Sequence, residues 1–310
     1  ECRCHDGQHD QRYVWRQIMK PSEVLNHPEE LIRFLSEHQY VADEEMATSL
    51  YLLLKLGKPL LLEGPPGVGK TEAALVLSQF LGTNLIRLQC YEGLDVNAAV
   101  YEWNYQKQLL GIRMQEGSDK STAEKEQIIF SDDYLLKRPL LQAITQEDKP
   151  PVLLIDELDR SDEEFEAFLL ELLSAFQITI PELGTIKAVQ KPFVILTSNR
   201  TRELSDALKR RCLYHWIDYP TLDKEMAIVQ QRLPEIEGDL LQQVVAHVQA
   251  FRQKKLAKIP GVSETIDWAE SLMALGYREV NRQSMLQTAG SILKSSEDIR
   301  LVLSEMNAAE

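Results

Sequence analysis

One eight-residue segment restricts the fold of this 310-residue chain more than any other feature. Its sequence is Gly64-Pro65-Pro66-Gly67-Val68-Gly69-Lys70-Thr71. A short apolar run precedes the segment and a helical pattern follows it, so the chain turns from strand to helix here. Such a turn directs backbone N–H groups at phosphate oxygens, at the positive end of the helix dipole. The segment matches the P-loop pattern and predicts an α/β nucleotide-binding fold.

The two last residues of this segment carry the expected phosphate chemistry. The Lys70 ammonium is placed to neutralise β- and γ-phosphates, and the Thr71 hydroxyl is a ligand for Mg²⁺. The alternative is a Gly-rich turn with a solvated lysine, which would not need all of these elements between a strand and a helix. ATP and Mg²⁺ are therefore the expected ligands, bound by residues 64–71.

A pair of carboxylates follows the apolar run Val152–Ile155. Ligands of open α/β sheets bind at the carboxyl ends of strands, which places Asp156 and Glu157 in the same crevice as the P-loop. Asp156 fits a Mg²⁺ ligand, and Glu157 fits the base that accepts a proton from the attacking water. The competing interpretation is an acidic helix cap, because further acidic residues follow this pair.

Five short apolar runs are separated by helical stretches long enough to serve as crossovers. They lie at 59–62, 84–90, 152–155, 193–197 and 213–217. Strands buried on both faces read as continuous apolar runs. We therefore expect a parallel five-stranded sheet with helices on both faces, followed by a small all-α domain.

The domain organisation follows from the same patterns. We expect a tail over 1–20, an α/β core over 21–220 and an α-helical lid over 221–310. Alternation near 177–191 predicts a β-hairpin inside the core, and the polar stretch 115–127 predicts a mobile loop. In the tail, closely spaced soft and borderline ligands are consistent with a metal site, and the alternative is a disordered tail without one. These ligands are Cys2, Cys4, His5 and His9.

Composition excludes several classes of protein. The 34 basic residues against 48 acidic ones give a net charge of −14, which opposes non-specific binding to nucleic acid. No stretch reaches the roughly 18 apolar residues of a membrane span, and the first residues lack the apolar core of a secretory signal. Four scattered cysteines favour a reducing compartment. We expect a cytoplasmic protein that binds no nucleic acid and makes no stable membrane insertion.

A third polar element, Asn199, ends the fourth apolar run. In its order of P-loop, carboxylate pair, hairpin and polar residue, the chain resembles the AAA+ ATPases and, within them, the MoxR family. The resemblance extends from about Pro21 to the C-terminus. It implies ATP hydrolysis, with Asn199 as a polar sensor that holds the attacking water near the γ-phosphate.

The resemblance also implies an arginine that reaches the nucleotide of the neighbouring subunit in a ring. In the segment Ala207–Cys212, Arg211 takes this position and Arg210 is the reserve. Cys212 replaces the family's phenylalanine. A homo-oligomer, expected to be a hexameric ring, follows from this role. The alternative is that both arginines only form a cationic helix end.

The lid departs from the family pattern. The family's sensor arginine has two candidates here, Arg278 and Arg282, and both are also consistent with surface residues. Three further stretches, 90–95, 101–105 and 263–268, resemble the CoxD-like subgroup, whose members are associated with the maturation of molybdenum hydroxylases of the carbon monoxide dehydrogenase type. The aromatic residues from Tyr101 to Tyr105 would either grip a client or pack the insert onto the sheet.

The leading hypothesis is thus an ATP-driven chaperone for a protein client in metal-cofactor assembly, with a von Willebrand type protein as a further partner. Within this class, activation of another metalloenzyme or of Rubisco is the alternative. A nucleic-acid-dependent motor and a nucleotide-binding adaptor without turnover are the alternatives from other classes. The negative charge and the lack of a basic aromatic stripe disfavour the motor, and Glu157 disfavours the adaptor.

Overall fold

The structure is a computed structural model that describes residues 27–116 and 121–308. The tail predicted over 1–20, with its cysteines and histidines, lies outside the described residues. The strands are β1 (Leu60–Glu63), β2 (Leu85–Gln89), β3 (Tyr101–Trp103), β4 (Leu135–Lys137), β5 (Val152–Asp156), β6 (Gln177–Ile180), β7 (Gly184–Lys187), β8 (Phe193–Ser198) and β9 (Leu213–Trp216).

The helices of the α/β part are α1 (Pro28–Glu37), α2 (Glu44–Leu56), α3 (Lys70–Leu81), α4 (Val96–Ala99), α5 (Tyr105–Met114), α6 (Thr122–Ile129), α7 (Pro139–Ile144), α8 (Glu163–Ala175) and α9 (Asp206–Lys209). The C-terminal helices are α10 (Leu222–Arg232), α11 (Gly238–Arg252), α12 (Val262–Ala274), α13 (Arg282–Ile292) and α14 (Ser296–Ala308).

A five-stranded parallel sheet forms the centre of the fold, in the order β2-β5-β8-β1-β9. Its strands coincide with the five apolar runs, and the predicted α/β fold with a helical C-terminal region is confirmed. Successive residues of β5 point to opposite faces, so Leu153 and Leu154 belong to different hydrophobic clusters. Each cluster is closed by helices, which explains why these strands are apolar on both faces.

Strand register brings the polar strand ends together. Glu63 of β1 pairs with Ser198 of β8, and Gln89 of β2 pairs with Asp156 of β5. The residues that follow β1, β5 and β8 therefore leave the sheet at one edge. This edge carries the P-loop, the carboxylate pair and Asn199.

The C-terminal helices have a hydrophobic cluster of their own, centred on Trp268. The Trp268 indole Nε1 donates to Thr288 Oγ1 at 2.8 Å, so its buried N–H is satisfied. In the α/β part, β6 and β7 form an antiparallel hairpin in which Ile178 pairs with Ile186. Among the described residues, no helix combines the length and the apolar character that a membrane span requires.

The mobile loop expected over 115–127 is wrong in part, because α6 occupies Thr122–Ile129. Its start is fixed by a capping box. The Ser121 hydroxyl accepts from the Glu124 backbone N–H, and the Glu124 carboxylate accepts from the Ser121 N–H at 2.8 Å. A polar composition hid this helix, which buries none of its own side chains.

Candidate functional site

The P-loop joins β1 to α3 through a backbone that only glycine adopts easily. Gly67 and Gly69 have φ angles of 75° and 90°, in the left-handed region that other residues rarely enter. The turn ends at Gly69, and α3 begins at Lys70. The first N–H groups of α3 have no partner within the helix, so they are available to an anion in the loop.

Lys70 is buried and turns back over the loop. Its ammonium Nζ donates to the carbonyl oxygens of Gly64 at 2.8 Å and Pro65 at 2.6 Å. Burial lowers the pKa of Lys70 to about 8, while the nearby carboxylates, Asp159 foremost, act in the opposite direction. A dianionic phosphate at this position would favour the charged ammonium, because an opposite charge offsets the cost of desolvation.

Thr71 and Asp156 lie close enough to share a cation. The Thr71 hydroxyl donates to the Asp156 carboxylate oxygens, at 3.1 Å to Oδ1 and 3.2 Å to Oδ2. A hydroxyl and a carboxylate are hard oxygen ligands, which is the donor type that Mg²⁺ prefers beside phosphate oxygens. These two residues therefore fit the predicted Mg²⁺ site.

Two further side chains hold the Asp156 carboxylate. Thr197 Oγ1 donates to Asp156 Oδ1 at 2.5 Å, and Arg87 donates to Oδ2 from Nε at 3.0 Å and from Nη2 at 2.6 Å. The sequence reasoning missed both residues. Arg87 did carry a signal in the sequence, because it is a charged residue inside an apolar run. The fold places that run beside β5.

Glu157 follows Asp156 with an unusual backbone conformation. Its φ of 53° and ψ of 47° lie in the left-handed region, and its N–H donates to Thr197 Oγ1 at 2.8 Å. A non-glycine residue in this conformation is strained and often belongs to a functional site. The turn leaves the Glu157 carboxylate a third exposed, where Arg160 Nη1 donates to it at 3.0 Å.

A buried aspartate fixes the chain at Asn199. Asp159 accepts from the backbone N–H of Asn199 at 3.1 Å, and from both the N–H and the hydroxyl of Thr201, at 2.8 and 2.7 Å. In the sequence, Asp159 looked like one member of an acidic helix cap. Its contacts instead connect the segment after β5 to the segment after β8, so it sets the position of Asn199.

A cavity of about 330 Å³ opens at this edge of the sheet, and both the α/β part and the C-terminal helices line it. Lining residues from the P-loop region and the strand ends include Gly67, Lys70, Thr71, Asp156, Glu157 and Asn199. All the sequence-based candidates in these two regions surround one cavity or form the loop at its wall. The size is in the range of small-molecule sites.

The C-terminal helices present different cations from those that the sequence suggested. Arg278 and Arg282 are not among the residues that line the cavity, and Arg278 is 81% exposed beside Glu237. Arg232 does line it, and its Nη2 lies 2.6 Å from Glu72 of α3. Arg232 lies at the end of α10, far from α3 in the sequence. Its approach to the P-loop helix depends on tertiary packing that no local motif encodes.

Arg211 is exposed and is not among the residues that line this cavity. Its guanidinium donates from Nε to Ser174 Oγ at 2.7 Å and from Nη1 to the carbonyl oxygen of Ala207 at 2.8 Å. The neighbouring Cys212 thiol has its pKa raised to about 12 by burial, so it is a packing residue at neutral pH. Arg211 is therefore held in place at a position outside the lining of the candidate site.

Comparisons with known proteins agree with this geometry. Residues 59–212 match a family model described as AAA domain (dynein-related subfamily), in agreement with the AAA+ fold of this segment. An uncharacterized protein of Staphylococcus aureus (strain NCTC 8325) is 26% identical over 270 residues, which cover 85% of this chain and 84% of that protein. An uncharacterized protein of Staphylococcus haemolyticus is 26% identical over 216 residues, covering 67% and 74%.

Among solved structures, the Thermotoga maritima RuvB Holliday junction branch migration motor is similar with a TM-score of 0.46 and 19% sequence identity. The match covers 80% of this chain and 68% of that chain. The resemblance to the MoxR family and its CoxD-like subgroup is not tested by these relatives and stays a prediction.

Replacing Lys70 tests the phosphate site. Lys70→Ala should weaken ATP binding by about 2 to 4 kcal/mol, because charge-assisted hydrogen bonds made together are lost. Isothermal titration with ATP measures the change. Lys149→Ala is the control. Lys149 is an exposed cation that precedes the N-terminal end of β5, whereas the P-loop lies at the C-terminal ends of the strands. Unchanged affinity in Lys70→Ala would contradict the P-loop assignment.

Asp159 is expected to act through Asn199. Asp159→Asn replaces one acceptor by an N–H₂ group facing N–H donors, so turnover should fall at least tenfold while ATP affinity is kept. Steady-state hydrolysis and titration separate the two. Asp162→Asn is the matched control, because Asp162 caps α8 and asparagine caps a helix equally well. Equal losses in both variants would make Asp159 a general stability residue.

Proposed function

We propose that this chain, whose residues 59–212 match an AAA domain, hydrolyses ATP and uses the energy as an oligomer to remodel a protein client. The observation that carries the hydrolytic part is the convergence of Lys70, Thr71, Asp156, Glu157 and Asn199 at one edge of the sheet. A phosphate-binding loop, a hard cation site and a partly exposed carboxylate are together the requirements for phosphoryl transfer to water.

In the proposed reaction, the loop and Lys70 hold the β- and γ-phosphates. Thr71 and Asp156 would hold Mg²⁺, which neutralises charge on phosphate oxygens when bound. Arg87 and Thr197 fix the Asp156 carboxylate from two sides, so its orientation is set before nucleotide arrives. Preorganised groups of this kind lose little free energy to reorganisation during the reaction.

Glu157 is the proposed general base. The oxygen of a water attacks the γ-phosphorus, the bond to the ADP oxygen breaks, and the water proton passes to the Glu157 carboxylate. Asn199 is proposed to orient this water. Because Glu157 is ion-paired with Arg160, its carboxylate must leave Arg160 or share it while it accepts the proton.

Arg211 is proposed to complete the site of a neighbouring subunit. Its exposure, and its absence from the lining of the cavity in its own subunit, support a role in trans. Ser174 and Ala207 hold the guanidinium at the surface, which lowers the entropy lost when it engages a phosphate. A homo-oligomeric ring, for which we expect six subunits, follows from this role.

An inverted amphipathic helix supports a protein client. On α5 the buried side carries Gln108 and Gly111, and the apolar residues face outward. Gln108 donates to the carbonyl oxygen of Ile129 at 3.0 Å. The exposed apolar residues of α5 are Tyr105, Leu109, Leu110, Ile112 and Met114. Several exposed apolar side chains on one helix are typical of a protein-binding surface.

The aromatic residues near α5 divide between the two expected roles. Trp103 is buried and contacts Phe130 edge-on, with 5.3 Å between the ring centroids. Trp103 therefore has the packing role within the insert. Tyr105 is 67% exposed and belongs to the exposed apolar residues of α5.

Maturation of a molybdenum hydroxylase, with a von Willebrand type partner, remains our proposal for the client on the strength of the CoxD-like resemblance. Activation of another metalloenzyme or of Rubisco is the alternative.

A motor that acts on nucleic acid, as RuvB does, is the alternative from another class. It predicts that DNA or RNA raises the ATPase rate, whereas the client hypothesis predicts no such response. The net charge of −14 and the five exposed apolar residues of α5 favour the client hypothesis. The measurement is steady-state ATP hydrolysis with and without duplex and single-stranded DNA and RNA.

Glu157→Gln tests the general base. The variant should keep ATP binding while hydrolysis slows by roughly 10² or more, since glutamine cannot accept the proton. Titration and single-turnover hydrolysis give the two quantities. Glu164→Gln, the same change at an exposed position on α8, is the control. A matching loss of binding in Glu157→Gln would instead make Glu157 a structural or metal-site carboxylate.

Arg211→Ala tests the shared site. ATP binding should be kept, and hydrolysis should fall by about 10³, the contribution of an arginine that stabilises transition-state charge in trans. Mixing Arg211→Ala subunits with Glu157→Gln subunits should restore part of the activity, because some interfaces then join an intact base to an intact arginine. Arg210→Ala is the control at the adjacent arginine.

The mixing experiment has two informative failures. If the mixed subunits co-assemble without recovery, and Arg210→Ala shows the larger defect, then Arg210 is the residue that acts in trans. If the wild-type chain hydrolyses ATP at full rate as a dilute monomer, the shared site is wrong. Analytical ultracentrifugation at the assay concentration distinguishes these cases.

A further inference from the structure

Two segments outside the P-loop contact its backbone closely. A side-chain Cβ at Gly64 would lie 2.0 Å from the carbonyl oxygen of Ile217, in the connection that leads from β9 to α10. At the middle of the loop, the Val262 N–H donates to the carbonyl oxygen of Gly67 at 3.0 Å. The P-loop is thus braced at one point by the connection and at another by the start of α12.

The contact between the start of α12 and the P-loop is unusually close. A Cβ at Gly261 would lie 2.8 Å from the Pro66 carbonyl oxygen and 3.0 Å from Gly67 Cα. Gly261 itself has an ordinary extended backbone, with φ of −84°, so a side chain is excluded by the P-loop atoms and by the Glu264 carboxylate 3.0 Å away, and not by backbone strain. The segment 260–262, which we name the brace, therefore fits directly against the loop backbone.

A buried ion pair holds the brace. Glu225 of α10 is fully buried, and its two oxygens each accept from Arg252 of α11 at 2.7 Å. The same guanidinium donates from Nε to the Pro260 carbonyl oxygen at 2.9 Å. Thr265 Oγ1 lies 2.7 Å from a Glu225 oxygen and 3.0 Å from the Gly261 carbonyl oxygen, so its one hydroxyl proton faces both acceptors.

The same ion pair also holds the connection. Gln249 donates to the Pro220 carbonyl oxygen at 3.0 Å and to Glu225 at 2.7 Å. The Arg252 guanidinium lies over the Tyr219 ring, 4.7 Å from its centroid. With Thr265, these donors satisfy both carboxylate oxygens, as a buried charge requires.

We propose that Glu225, Arg252, Thr265 and Gly261 are positioning residues for the P-loop, which hold its backbone at Pro66 and Gly67 in the conformation that binds nucleotide. Neither Arg278 nor Arg282 lines the cavity. The C-terminal helices instead reach the loop through its backbone at Gly67. Displacing the brace therefore displaces the loop backbone at Gly67, and nucleotide affinity should fall.

Gly261→Ala is the direct test, and it rests on the nucleotide site proposed above. The added methyl group must displace the brace from Pro66 and Gly67, so the affinity for ADP should fall about fivefold or more, within the range of a coupling between sites. Calorimetric titration with ADP and with a non-hydrolysable ATP analogue measures it. Gly290→Ala is the matched control, because a Cβ there meets nothing within 4 Å.

A second pair of variants separates positioning from stability. Thr265→Val removes the hydroxyl that bonds Glu225 and Gly261, and should weaken ADP binding, whereas Thr265→Ser should retain it. Thr288→Val is the stability control, since Thr288 is also buried and its hydroxyl bonds Ser284 and Trp268 away from the brace. Thermal unfolding without nucleotide shows whether the two valine variants are destabilised alike.

The outcomes are distinct. Weaker binding in Gly261→Ala and Thr265→Val, with wild-type affinity in Gly290→Ala, Thr265→Ser and Thr288→Val, supports the brace. Unchanged affinity in Gly261→Ala, or an equal loss in Thr288→Val, overturns it while the nucleotide site stands. If the wild-type chain binds no nucleotide, the proposed function itself fails.

Discussion

The hydroxyl of Thr197 holds the candidate site together. It donates to the Asp156 carboxylate and accepts from the Glu157 N–H, so one oxygen on β8 fixes two consecutive acidic residues after β5. This bridge exists because parallel register places the ends of these strands side by side. It also accommodates the left-handed backbone of Glu157, which turns the two carboxylates in different directions.

The sequence was sufficient for the features that are local. Apolar runs identified the five strands, and the glycines of the P-loop identified the turn whose backbone only glycine adopts. The carboxylate pair and Asn199 could also be placed, because parallel strands share one edge. The roles of these residues and of Arg211 stay predictions.

The features that were missed depend on contacts between distant segments. Arg87 reaches Asp156 from the neighbouring strand, and Asp159 reaches Asn199 across the strand ends. Arg232 approaches α3 only because the C-terminal helices fold back over the core. The helix α6 was missed for a different reason. Its capping box is a local signal, but a helix that buries no side chains has no apolar periodicity to reveal it.

The inverted helix α5 also has a thermodynamic consequence. Gln108 and Gly111 anchor this helix through its buried side, so its exposed apolar residues are already ordered before any partner arrives. Covering them would remove apolar surface from water with little loss of backbone entropy. Such an association has a negative heat-capacity change and leaves helix content almost constant, unlike the folding of a disordered segment on its partner.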